Sequence, residues 1–234
     1  MKIVSNEKLI KRNNRLGTYL TFGSLAVLGL GLYFSFADPK YFQFSLLALL
    51  AGFIMSQIGI YMGNRYGRKP RPDQAISAAL KGLEDKYTLY HYMTPISHLL
   101  VGPAGIWVLL PYFQTGTISY NEKKKRWQQK GGNFYLKLFG QENLGRPDLE
   151  INASSNDLKK FLAKNLPEAA QPDLQVALVF TNEKTKVEAE NAPTPTLHID
   201  KLKDFIRRQA KKSQATPETI NALQAVLPAE STIP

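Results

Sequence analysis

The 234-residue chain carries 30 Lys and Arg against 19 Asp and Glu, a formal net charge of +11. That excess favours contact with something anionic, nucleic acid or the anionic surface of a membrane, and does not choose between them. The absence of Cys excludes disulfides, thiolate catalysis and Cys-ligated zinc or iron–sulfur sites. His91, His98 and His198 are scattered, which argues against a His-rich metal centre, so neither a metal nor a cofactor is expected.

Residues 1–15 read as a basic tail, with Lys2, Lys8, Lys11, Arg12 and Arg15 against Glu7 alone. Two charge-free apolar runs follow, 16–37 and 41–63, each meeting the requirement of about 20 apolar residues for a membrane-spanning helix. A signal peptide competes for the first run, because Ser35-Phe36-Ala37 has the small-x-small form of a cleavage site. The run is too long for a typical signal core and a second span follows at once, so two retained transmembrane helices over 16–63 are expected.

Asp38-Pro39-Lys40 makes a tight turn between the spans, and the basic weight lies outside them. The positive-inside rule then places both termini and the soluble part in the cytoplasm of a multi-pass cell-membrane protein. Tyr33, Tyr41, Phe42 and Tyr61 occupy the positions of interfacial aromatic anchors. Ala48, Gly52 and Ser56, spaced by four, predict a groove on the second helix that the first helix fills. Residues 64–72 form a basic juxtamembrane linker in which Arg65, Arg68, Lys69 and Arg71 are candidates for contact with anionic lipid.

Beyond the linker, Ile76, Ala79, Leu80 and Leu83 fall on one helical face, and Lys86–Tyr92 has strand composition. Leu99-Leu100-Val101 and Ile106-Trp107-Val108-Leu109-Leu110 flank Gly102-Pro103-Ala104-Gly105 and predict adjacent strands covered on both faces. Thr117–Tyr120 and Arg126–Gln129 predict a hairpin around 121–125, whose Lys123, Lys124, Lys125 and Arg126 form the densest basic cluster. With Trp127 beside it, that cluster is a candidate finger for nucleic acid or lipid; the competing reading is a solvated hairpin tip whose Trp packs on the sheet.

A helix with Leu158, Phe161, Leu162 and Leu166 on one face is expected to stop at Pro167, followed by a buried strand over Gln175–Phe180. Thr181–Pro195 reads as loop and Leu197–Ile199 as a short edge strand. Asp200 is a candidate N-cap for a helix burying Leu202, Phe205 and Ile206, and residues 213–234 read as a last short helix and tail.

The stretch Val101-Gly102-Pro103-Ala104-Gly105, the strand after it, Gly116-Thr117-Ile118 and Trp127 together resemble the nuclease-related domain (NERD) family. That family is a relative of the PD-(D/E)xK nucleases. The resemblance covers about 73–212 and implies a restriction-endonuclease-like α/β fold, a mixed sheet flanked by helices and preceded here by the membrane hairpin. It places the family's acidic position at Ser97, its Glu at Leu110 and its Lys at Tyr112, none of which supplies the chemistry. Asp73 and Glu150 are the residual carboxylates that would have to converge to replace them.

The expected function is therefore a membrane-anchored, catalytically inactive binding or scaffold module. Its expected partners are anionic lipid, weakly and non-specifically bound nucleic acid, or an unidentified protein. The alternatives are a metal-dependent nuclease using displaced residues and a structural membrane protein that docks a protein partner.

Overall fold

The computed structural model describes residues 1–132, 143–166, 173–212 and 216–231. The chain divides into two compact units: 1–6 with 72–233, and 7–71.

The second unit is a helical hairpin. Helix α1 (Glu7–Ala37) and helix α2 (Phe42–Met62) are joined by a 3-10 turn over Pro39–Tyr41, capped by the Asp38 carboxylate accepting from the Lys40 N–H at 2.9 Å. Both helices are long and apolar enough to cross a membrane. Only 11% and 17% of their most apolar windows are buried, so neither behaves as the core helix of a soluble protein. Phe22, Leu25, Leu47 and Phe53 are among the large apolar side chains left bare on the outside.

The helices meet along a seam of small residues at seven-residue spacing. Gly17, Ser24 and Gly31 of α1 face Ser45, Gly52 and Gly59 of α2. A Cβ on Gly52 would lie 2.7 Å from Leu28 Cγ and 3.1 Å from its backbone nitrogen, and one on Gly59 would lie 3.0 Å from the backbone nitrogen of Thr21. The Ser45 hydroxyl donates to the Gly31 carbonyl at 2.8 Å. The predicted four-residue groove is thus corrected: Gly52 is in the seam, but Ala48 and Ser56 are only half-buried. A seven-residue period keeps one stripe of an α-helix facing its partner through a slow left-handed supercoil, and a four-residue period drifts off it.

In the first unit a six-stranded mixed sheet has the order β1-β2-β3-β4-β7-β9. Its strands are β1 (Lys2–Ser5), β2 (Thr88–His91), β3 (His98–Gly102), β4 (Gly105–Tyr112), β7 (Leu174–Phe180) and β9 (Thr196–His198). Alternation is complete along β4. Ile106, Val108, Leu110 and Tyr112 enter one apolar layer and Trp107 and Leu109 the other. Both faces are covered, which is why the sequence runs show no polar alternation.

On one face lie α3 (Pro72–Ala79) and α5 (Leu202–Lys212), through Ile76, Leu202 and Ile206. On the other lie α4 (Pro147–Asn165) and α6 (Pro217–Val226), through Leu158, Leu162 and Leu223. The same face packs against a small sheet of order β6-β5-β8, built from β5 (Gly116–Asn121), β6 (Arg126–Lys130) and β8 (Thr185–Glu188).

Three local expectations change. The expected basic tail contains a strand: Lys2–Ser5 pairs in parallel with β2, Val4 opposite Tyr90, and Val4 is 1% exposed. α1 accordingly begins at Glu7, well before the apolar run. Within the expected loop 181–195, Thr185–Glu188 pairs in parallel with β5, and the Thr185 hydroxyl donates to the Gln114 carbonyl at 2.6 Å. Asp200 sits in a 3-10 turn over Ile199–Lys201, and α5 starts only at Leu202. Helix α4 ends at Asn165 with Leu166 as its C-cap, while Pro167 lies outside the described residues.

Strand β1 makes a prediction about autonomy. A chain joining Asn6 to Pro72 through a short Gly/Ser linker is expected to melt well above one starting at Arg71. The shorter chain loses the burial of Val4 and the β1 ladder, together about 2–4 kcal/mol. Thermal unfolding of the two proteins followed by circular dichroism checks this, and equal melting temperatures would refute it.

Candidate functional site

The family-like turn is explained locally. Pro103 and Ala104 connect β3 to β4 between the paired Gly102 and Gly105. A Cβ on Gly102 would lie 2.2 Å from Tyr87 Cδ1, so the Tyr87 ring leaves room only for Gly. Gly116 has φ +87 and would press a Cβ to 2.4 Å from the Lys130 carbonyl oxygen.

Around this frame the candidate catalytic positions are occupied by packing. Leu110 is 5% exposed within an apolar layer. Tyr112 stacks on Phe180 with ring centroids 5.4 Å apart, and its hydroxyl donates to Glu150 Oε2 at 2.5 Å. Burial, then the Glu150 carboxylate, push the Tyr112 phenol far above its ordinary value of 10.0, so it is a neutral donor. Ser97 lies before β3, its carbonyl accepting from the Tyr92 N–H at 2.7 Å.

The two residual carboxylates do not converge. Asp73 is on α3, whose Ile76 enters one apolar layer, and Glu150 is on α4, whose Leu158 enters the other. The sheet separates them. Among the described residues no group of three or more His, Asp or Glu is placed to hold a metal ion.

At the start of α4, the Arg146 guanidinium grips Asp148 with two hydrogen bonds, 3.0 and 2.7 Å, and holds its carboxyl below the usual range. The Lys123–Arg126 tip is exposed throughout, whereas Trp127 is buried, with its indole N–H donating to Thr196 Oγ1 at 3.0 Å. Trp127 also meets Tyr120 edge-on at 4.9 Å. The ring is committed to the fold and does not stand out as a stacking platform.

In the hairpin unit, Arg65 donates to the Tyr61 hydroxyl at 2.8 Å and Arg71 lies 3.9 Å from Glu7. Arg68 is half-buried and Lys69 exposed.

A feature that sequence reading missed lies at the β2–β3 end. His91 and His98 are register partners, both 1% exposed, with their Nδ1 atoms 2.8 Å apart. His91 Nε2 is 2.8 Å from Ser77 Oγ, and the Tyr92 ring meets His98 edge-on at 5.0 Å. Tyr92 has φ +57, an uncommon conformation for a bulky residue. Only one hydrogen fits between two nitrogens at that distance, so one Nδ1 donates and the other accepts. The signal available in sequence was parity: across a short turn, residues seven apart can face each other on neighbouring strands.

An open groove of the α/β unit, about 970 Å³, is lined by Lys2, Lys86, Arg207 and Lys211 together with Glu84 and Asp85. Its charges are mixed, and the Arg207 guanidinium already donates to the Gly82 carbonyl at 3.2 Å. Comparison of the chain with protein-family models, characterised proteins and solved structures finds no match.

Two predictions follow the geometry. Tyr112→Phe is expected to cost about 1 kcal/mol, since Glu150 is exposed enough to be rehydrated. Because the folded phenol titrates above its unfolded value, its contribution is fully present below pH 10.0 and declines at higher pH. Denaturant unfolding of both proteins at pH 8 and pH 11 should show the gap narrowing at the higher pH. His98→Ala, which removes the His98 contact from the buried His91 Nδ1 and opens a cavity, is expected to cost about 2–4 kcal/mol in the same assay. A loss under 0.5 kcal/mol would mean that the pair carries no structural weight.

Proposed function

We propose that this chain is a membrane-anchored binding or scaffold module whose α/β unit resembles the nuclease-related domain but performs no hydrolysis. The observation that carries the anchoring is the hairpin's bare apolar exterior, which water would cover only at high cost. Phe22, Leu25, Leu46, Leu47, Leu50 and Phe53 all stay more than half exposed along it. A bilayer about 30 Å thick supplies the missing cover.

Both flanks of the hairpin lie on one side of that bilayer, the cytoplasmic side. The charge distribution supports the choice of side, and the strand pairing supports a common side. The basic residues are concentrated on the flanks. In addition, β1 before the hairpin pairs with β2 after it, and a strand cannot pair across a membrane.

Hydrolysis in the PD-(D/E)xK manner needs carboxylates at adjoining strand ends to hold a divalent cation against the phosphate. Here Leu110 cannot ligate, Tyr112 is held neutral, and Asp73 and Glu150 face opposite ways from the sheet. That disfavours the displaced-residue nuclease. The scaffold that remains serves to present its surface beside anionic lipid, with nucleic acid held only through exposed lysines and screened by salt.

The reading predicts that the protein stays in the membrane pellet after carbonate washing. A reporter placed in Asp38–Lys40 should then report from outside the cytoplasm and one at the C-terminal end from within it. Release by carbonate, or a cytoplasmic signal from the turn, would defeat the anchoring. The purified protein should leave linear, circular and single-stranded nucleic acid intact with magnesium or manganese. Metal-dependent cleavage lost in Asp73→Ala or Glu150→Ala would defeat the inactive-scaffold reading. Stoichiometric co-purification of one protein would identify the partner as protein and not lipid.

A further inference from the structure

We propose that the first turns of α1 form a binding site for the phosphate-bearing headgroup of an acidic phospholipid, a reading that rests on the hairpin being membrane-resident. Lys8, Lys11, Arg12 and Arg15 are spaced i, i+3, i+4 and i+7, and all four are exposed. At 100° per residue they occupy about 100° of the helix circumference. The residues turned towards α2, Gly17, Ser24 and Gly31, lie on the opposite side of α1. The basic stripe therefore points away from the hairpin partner, towards whatever surrounds the helix.

Leu16 and Tyr19 continue the same face, and with the four basic residues they line one open groove of about 730 Å³. Along the axis Leu16 lies about 6 Å and Tyr19 about 10 Å beyond Arg12. Cationic groups thus come first and apolar surface follows, in the order in which a glycerophospholipid presents its phosphate and its acyl chains. Tyr19 is 72% exposed, leaving its ring open to an acyl chain along the groove.

Carboxylates do not answer the charge of Lys11, Arg12 and Arg15. No carboxylate occurs anywhere between Lys8 and Ala37. Glu7, immediately before the stripe, is 3.9 Å from Arg71. Lys11, Arg12 and Arg15 form no ion pair among the described residues. An anionic headgroup relieves the mutual repulsion of like charges spaced three and four residues apart on the stripe.

The occupant is a lipid and not a soluble phosphate because the groove's lower half is apolar. Inorganic phosphate would leave Leu16 and Tyr19 uncovered, and a zwitterionic lipid would bring its own cation to the stripe. An acidic phospholipid such as phosphatidylglycerol satisfies both halves.

The test uses the full chain in detergent, titrated with dioleoyl phosphatidylglycerol or dioleoyl phosphatidylcholine, with retained adducts counted by native mass spectrometry. Phosphatidylglycerol should be retained in preference. The combined change Lys11→Gln, Arg12→Gln and Arg15→Gln should lower its apparent affinity roughly a hundredfold, each basic residue near the surface contributing about fivefold. Arg12→Lys with Arg15→Lys should keep the preference, and neutralising Lys123, Lys124 and Lys125 should not alter it. For the unaltered chain in phosphatidylglycerol nanodiscs, amide exchange should slow over 8–19 relative to phosphatidylcholine nanodiscs.

Equal retention of the two lipids, unchanged retention in the triple Gln variant, or no added protection would overturn the proposal. Displacement by millimolar inorganic phosphate would assign the stripe to soluble anions and overturn the lipid source. A chain that resists carbonate yet shows no lipid preference defeats this inference alone, whereas a chain released by carbonate defeats the membrane reading beneath it.

Discussion

The pairing of β1 with β2 is the constraint on which the rest of the molecule depends. Ser5 is the register partner of His91, so the hairpin unit 7–71 is inserted between the first strand and the rest of the α/β unit, behind a four-residue parallel ladder. Closing a flexible loop of that length would be entropically costly. A helical hairpin removes most of the difficulty, because its turn returns the chain to where it began. Gly17 packs against Met62, and Glu7 approaches Arg71 to 3.9 Å. The two ends of the insert are brought together by the insert's own packing.

This arrangement also explains which features were legible in the sequence. Long uninterrupted runs identify themselves. The two charge-free stretches became α1 and α2, and the runs around Gly102–Gly105 became β3 and β4 with their turn where expected. The helix-flanked mixed sheet was what the family resemblance implied, and at that coarse level the sheet order and its covering helices agree with it. Features that depend on a distant partner could not. β1 is only Lys2–Ser5, with two exposed and two buried positions, and nothing within four residues distinguishes it from a polar lead into a helix. β8 is just as short and takes its strand geometry from β5. The hairpin seam was visible as small residues, but its period of seven emerges only when both helices are superposed.

The candidate site was legible in identity and not in arrangement. Ser97, Leu110 and Tyr112 were recognisable as unfit for metal chemistry from residue type alone. That Tyr112 would reach Glu150 was not, because the link joins a strand to a helix 38 positions away. The separation of Asp73 from Glu150 followed from sheet parity, which needs the register of β2, β3 and β4 before a face can be assigned. The histidines show the converse. Their scatter argued against a cluster, yet the antiparallel register of β2 and β3 makes His91 and His98 direct partners. Residues close in sequence but on neighbouring strands are grouped by the turn, a detail hidden from composition.

The net charge can be resolved further by asking where cations act together. In the α/β unit most of the described cations are dispersed or answered: Lys211 and Lys212 fall in the last turn of α5, where they complement the helix dipole. Lys186 pairs with Glu188 at 2.6 Å, and the groove holding Lys86 and Arg207 also holds Glu84. The Lys123–Lys125 tip is a local cluster on a hairpin whose Trp is withdrawn into the core. On α1, by contrast, the helical period gathers Lys8, Lys11, Arg12 and Arg15 onto one face that ends where the charge-free run begins. Fields from cations on one face add, whereas those from cations spread over several faces largely cancel beyond a Debye length of about 8 Å. The formal charge of +11 is thus unevenly arranged, with four of its cations gathered on one face of α1. That coherent stripe lies on a helix long and apolar enough to cross a membrane.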